Sequence, residues 1–247
     1  MGPRIGALAN RARESAGDEE AARCDDADLA RRKNQRTTTG RARAVGDANQ
    51  IGQGLRTAIG QLSGLGKAYA LVGGFAVNVR TEPRFTADVD FAVSVKDDAE
   101  AEAVAFALQQ AGWVVRMLIE HHATHRLGTA RFQVPDLAPD LRIDLLFAST
   151  GVEPEVVAGA TRERVASGDL VPTATVGHLI ALKCLSESPR RLKDRGDLLN
   201  LLAVASQEDL RVARGTLRLI TQRGYARKKN LLKVLERFRR LARTAES

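Results

Sequence analysis

Aromatic residues make up only 4% of this 247-residue chain. That is too few for the stacked aromatic platforms on which single-strand nucleic-acid readers hold successive bases. Cysteine is nearly absent. Cys24 and Cys184 lie far apart in dissimilar contexts, which argues against a disulfide framework and for reduced thiols in a cytosolic protein, Cys184 as a core residue on a helix. No run approaches the roughly 20 apolar residues of a membrane span, and the N-terminus has no apolar segment of a secretory signal. The expected setting is cytoplasmic, without a membrane. Acidic residues are scarce in one place: residues 211–247 hold 12 basic and 2 acidic residues, against 16 and 20 over 51–210 and 10 and 8 over 1–50. The net charge of +8 is therefore carried by the C-terminus. This asymmetry points to a polyanionic partner there, although a solvated helix face is the usual reason for such a run.

What is present is an ordinary globular composition, 44% hydrophobic. Residues 1–46 are rich in Arg, Ala, Asp and Gly and show no sustained period, which predicts a disordered tail or a mis-set start. Residues 47–170 read as one catalytic-type domain. An amphipathic helix from about Asn49 to Leu65 is followed by strands at Tyr69–Val72, Asp88–Val95, Trp113–Ile119, Leu127–Val134 and Leu141–Phe147. A helix capped by Asp97 lies between the second and third strands, and Arg162–Ala166 reads as a last edge strand. Pro172 marks a boundary, and residues 171–247 read as helical throughout, with helices at Thr175–Ser186, Lys193–Ala205, Gln207–Gln222 and Ala226–Arg243. The fold class expected is α+β: a mixed sheet with flanking helices, then a C-terminal helical bundle.

The most informative stretch runs from Tyr69 to Val93. A short buried strand passes through Gly73-Gly74 into a helix, which leaves backbone N–H groups free where a phosphate could approach. Asp88-Val89-Asp90 then opens the next strand. Residues two apart on a strand share a face, so the two carboxylates sit side by side and call for a cation. Hard oxygen ligands of this kind suit Mg²⁺ bridged to substrate phosphates. A third carboxylate, Asp144, interrupts the apolar strand Leu141–Phe147. A charge there needs a partner. The plain reading is a salt bridge to an arginine on a neighbouring strand; the motifs upstream favour metal ligation. Arg84 and Lys183 are the candidate phosphate cations, the latter interrupting the apolar helix His178–Lys183. Asp194 and Asp197, one helical turn apart, either pair with Lys183 or serve as helix-start charges. His121, His122 and His125 have spacings open to zinc, but with no Cys or fourth ligand near, a polar hairpin turn is the better reading.

Gly-Gly, then Asp-x-Asp, then a later strand carboxylate resembles the nucleotidyltransferase superfamily with the DNA polymerase β-type palm. The wider string Arg84-x-Thr86-x-Asp88-Val89-Asp90 is most similar to the branch of AbiE-type toxin nucleotidyltransferases (AbiEii and the related MenT group). The resemblance covers about residues 50–205. It implies a palm domain that moves an NMP from an NTP to a hydroxyl with two Mg²⁺ ions. Asp88 and Asp90 would bind both ions, with Asp144 on the nucleophile side as ligand or base. It also implies nucleotide contacts from Gly73, Gly74, Arg84, Lys183 and Asp194, the last in a Lys-Asp-x-x-Asp pattern at Lys193–Asp197, and it turns His125 or Arg131 toward substrate. The partners implied are an NTP, an RNA acceptor such as tRNA met by residues 211–247, and a cognate antitoxin. A small-molecule acceptor stays open, as does a non-catalytic RNA-binding module on a decayed palm.

Overall fold

Short apolar runs between charged turns make the strands here, and burial decides which face each residue takes. The structure, a computed structural model, describes residues 52–86, 88–121, 124–135, 137, 141–165 and 168–245. The expected tail at 1–46 and His122 lie outside them. Helix α1 (52–64) buries Leu55, Ala58 and Leu62, its three- and four-residue repeat. Then come β1 (Tyr69–Val72), α2 (Gly73–Arg80), β2 (Asp88–Val93), α3 (Asp98–Gln110), β3 (Val114–His121), β4 (Arg126–Gln133), β5 (Arg142–Leu146) and α4 (Glu153–Ala158). Strands β6 (Thr161–Arg164) and β7 (Leu170–Thr173) complete a seven-stranded sheet of order β3-β4-β5-β2-β1-β7-β6. The sheet is mixed: β2 runs parallel to β5 and β1 to β7, and the other neighbours are antiparallel.

One face of the central strands is wholly apolar. Val89, Phe91 and Val93 of β2, Ile143 and Leu145 of β5, and Ala130 and Phe132 of β4 are all buried. Trp113 and Tyr69 meet Phe132 and Phe91 edge to face, each at 5.6 Å between ring centroids. The alternation that buries these residues sends their neighbours Asp88, Asp90 and Asp144 to the other face. Asp97 caps α3 by accepting from the Glu100 N–H, as its position before the acidic first turn predicts.

Strand β7, which the sequence reading treats as a boundary, is where the structure differs most. Pro172 lies inside it, opposite Arg162 of β6. A proline is tolerated there because β7 registers against β1 at one pair, Leu71 with Thr173. Arg80, ending α2, stitches this edge down. Its guanidinium donates to the carbonyls of Thr173 and Ala174 at 3.1 Å each and to Glu163 at 2.7 Å.

The C-terminal helices are α5 (Val176–Ser186), α6 (Leu192–Val204), α7 (Gln207–Gln222) and α8 (Leu231–Ala245). Thr175 caps α5, which is buried along almost its whole length at Leu179, Ile180, Ala181, Cys184 and Leu185. Burial also pushes the Cys184 thiol up to about 12. Ser206 and Asp209 form a reciprocal capping box on α7. Helix α8 begins later than its periodicity predicts. Arg227 and Lys228 take left-handed conformations (φ +52° and +61°), and the loop instead docks on the sheet. There Tyr225 stacks on His121 at 4.0 Å, and Arg223 donates to the Gly151 carbonyl at 2.5 Å. Among the described residues no helix is long and apolar enough to cross a membrane.

Candidate active site

The polar face of β2 and β5 carries the site. The parallel register sets Asp90 opposite Asp144 and Asp88 opposite Arg142. Val72, the last residue of β1, stands opposite Asp90, so the chain enters Gly73 directly beside that carboxylate. Gly73 is left-handed (φ +64°), and a Cβ there would come within 1.9 Å of an Asp90 oxygen. At Gly74 a Cβ would meet the Thr86 hydroxyl at 2.8 Å and an Arg84 nitrogen at 3.2 Å. The glycines are read from sequence as leaving room for a ligand. In the fold, the space they leave is taken by the chain's own Asp90, Thr86 and Arg84. Gly73→Ala is therefore expected to cost about 1–2 kcal/mol through its backbone conformation alone, and more through displacement of Asp90. Urea unfolding of the variant measures the loss.

Asp90 has no ion-pair partner among the described residues, and burial pushes its pKa up to about 7, with the charges of Asp144 and Asp88 adding to the effect. Lys183 and Arg131 pull the other way and do not win. Two carboxylates on one face, Asp90 with its charge disfavoured by burial, are suited to a divalent cation that takes its other ligands from phosphates and water. Asp88 and Asp90 fit one such ion. Asp144, the third carboxylate expected at the ions, meets an arginine. Arg131, opposite Asp144 in the β4–β5 register, holds both Asp144 oxygens at 2.8 and 2.6 Å. Arg142 stands 3.4 Å from Asp88. Among the described residues, no group of three His, Cys, Asp or Glu side chains is placed to hold a metal. This is the arginine salt bridge that the sequence leaves open for Asp144; its register is invisible in one dimension.

A second cluster faces the first from the helical bundle. Asn78 exchanges two hydrogen bonds with the Arg84 backbone, at 2.6 and 3.1 Å, and so pins the loop before β2 to α2. The Arg84 guanidinium reaches across to Asp197 of α6 at 2.5 and 2.6 Å. Lys183 of α5 lies 2.7 Å from Asp194 and 2.6 Å from Asp197. Burial raises both carboxylates, but hydrogen bonds and charge from Lys183, and from Arg84 at Asp197, hold them below the usual range. Asp194 and Asp197 thus pair with Lys183; Asp194 also meets the exposed Arg191 at 3.3 Å, whereas Asp197 is fully buried and takes Arg84 through two hydrogen bonds. Thr86 and Arg142 are neighbours of the site to which the sequence reading gives no role. Thr86 was signalled by its place two residues from Arg84.

The three-histidine segment carries no metal cluster among the described residues. His121 ends β3 and contacts Thr124 at 3.1 Å, and His125 takes a left-handed turn conformation (φ +52°). His178 contacts the Thr175 hydroxyl at 2.9 Å and is held below its ordinary pKa by burial. In the basic C-terminal segment, Arg214, Arg223, Arg237 and Arg239 all pair with glutamates, and Lys229 caps the carbonyls of Leu185 and Glu187.

By chain path the protein is similar to several solved structures. An antigenic nucleotidyltransferase-like protein from Paracoccidioides brasiliensis matches at TM-score 0.44 and 15% identity, over 76% of this chain and 93% of that one. The lincosamide antibiotic adenylyltransferase LnuA, with lincomycin bound, matches at 0.41 and 15%, over 61% and 96%. The antibiotic-resistance factor ANT(2'')-Ia matches at 0.40 and 15%, over 81% and 94%. No family model and no curated protein matches the sequence.

Proposed function

We propose that the chain is a nucleotidyltransferase that moves an NMP from an NTP to a hydroxyl of RNA, as the toxin of a toxin–antitoxin pair. One observation carries the catalytic reading: Asp90 and Asp144 stand in register on neighbouring parallel strands, with Asp88 on the same face and Lys183 close enough to act on Asp90. The acceptor hydroxyl gives its proton to Asp144, its oxygen bonds to the α-phosphorus, and the bond from that phosphorus to pyrophosphate breaks. Mg²⁺ on Asp88 and Asp90 would supply charge neutralisation and orientation for the triphosphate. Arg84 and Lys183 would share their donors between Asp194, Asp197 and the phosphates. Transfer of this kind asks the protein mainly for placement and countercharge.

The RNA acceptor and the toxin role rest on the Arg84-x-Thr86-x-Asp88-Val89-Asp90 resemblance and on the basic C-terminus. At least seven of that segment's cations, Arg211 on Glu208 and Arg227 on the Ser149 carbonyl among them, are engaged within the fold, so the surface for a phosphate backbone is carried by others such as Arg218, Lys228, Lys233 and Arg240. Incubation with α-labelled NTPs, Mg²⁺ and total tRNA is expected to place label on RNA. Label on an aminoglycoside or lincosamide but not on RNA would move the acceptor to small molecules. RNA binding that weakens with salt, without transfer from any NTP, would sink the enzyme reading.

A further inference from the structure

Asp144 is buried, and an ionised carboxylate at such depth needs full partnering. It receives this from one residue. Arg131 and Asp144 are directly opposed on antiparallel strands, where side chains stand about 5 Å apart. The contact is thus dictated by the sheet rather than by a rotamer choice, and the guanidinium fork takes both oxygens. Asp90, across the parallel ladder, has no cation at ion-pair distance among the described residues, and Asp88 has only the exposed Arg142 at 3.4 Å. The three carboxylates therefore divide into two that are open to a metal and one that is closed by an arginine.

We infer that Arg131 takes the place of a second metal ion, so that the site holds one divalent cation on Asp88 and Asp90, and Asp144 serves the acceptor as proton acceptor rather than as ligand. This rests on the nucleotidyltransferase reading. Arg131 acts as a positioning residue: it supplies fixed positive charge beside Asp144 and holds that carboxylate by both oxygens along the strand pair. Asp144 receives the acceptor O–H proton as the oxygen bonds to the α-phosphorus, and the electron pair of the broken bond leaves with pyrophosphate.

Counting Mn²⁺ by electron paramagnetic resonance, in the presence of an α,β-methylene NTP analogue, tests this without turnover. The wild-type chain is expected to bind one ion. Arg131→Lys, which retains a cation, is expected to bind one, and Arg131→Met two. Asp144→Asn is expected to bind one ion with affinity within about twofold of wild type, whereas loss of a true ligand or its support weakens binding by ~10-fold or more. Two ions in the wild type, one ion in a folded Arg131→Met variant, or a tenfold weakening in Asp144→Asn would each overturn the inference. If Arg131→Met does not fold, the Asp144→Asn affinity decides alone. No ion bound to the wild type with the analogue present would overturn the nucleotidyltransferase reading itself.

Discussion

Asp90→Asn is expected to yield a protein that is more stable than the wild type above neutral pH and silent in transfer. Asp90 titrates near 7 in the fold, well above an ordinary carboxylate, because of burial and the charges of Asp144 and Asp88. Between about pH 4 and 7 the folded state therefore binds more protons than the unfolded chain, and stability falls as pH rises through that window. By pH 8 the ionised group costs on the order of 2–4 kcal/mol. An isosteric neutral amide removes this cost and flattens the pH dependence, which denaturant unfolding at pH 5 and pH 8 will register. On the proposed reading Asp90 holds the metal, and transfer is expected to fall by ~10³-fold or more. Millimolar Mg²⁺ should raise the melting temperature of the wild type and not of the variant. A variant that is less stable at pH 8 would show that Asp90 is compensated in the resting fold.

Asp197→Ala is expected to have the largest structural effect. Its carboxylate is fully buried and serves Arg84 through two hydrogen bonds and Lys183 through a third contact. Removal strands two cations at the junction of sheet and bundle. Breaking a buried pair in this way costs about 3–5 kcal/mol, or a fall of roughly 10 °C in melting temperature for a chain of this size. Asp197→Asn keeps the shape and an acceptor and should lose less. The pH sign is opposite to that of Asp90. Asp194 and Asp197 lie below the usual carboxylate range, so their contribution is intact above that range and is lost as pH falls through their lowered values. If both Asp197 variants melt with the wild type, the junction is held by packing alone.

Much of the sheet was legible from periodicity. β1, β2, β4 and β5 lie within a residue or two of where alternation and turn residues put them, and the helices after Asp97 and Thr175 announce themselves through capping chemistry. Two features were not legible. Strand β7 is four residues long and contains Pro172, and nothing local distinguishes it from a linker; its identity comes from β1 and β6, far away in sequence. The Arg131–Asp144 clasp depends on β4 and β5 pairing in one register out of several. For the site, the polar face could be read from spacing at Asp88, Asp90 and Asp144. Which of those carboxylates would stay open could not be read, because that depends on what stands opposite each of them. The late start of α8 has the same character: its apolar period extends into the loop, and docking of Tyr225 against Gly151 and His121 overrides it.

Cys184 gives the helical bundle a chemical clock. With its thiol pushed up to about 12, roughly one molecule in 10⁴ carries a thiolate there at pH 8, and the group is fully enclosed. An alkylating reagent can therefore modify it at an appreciable rate only while the core around α5 is transiently open. The rate of labelling at that position, followed by peptide mass spectrometry, reads the opening of the same helix that carries Lys183. On the proposed reading, in which Lys183 meets an NTP, nucleotide should slow that rate, so that one inert thiol reports on the site without touching it.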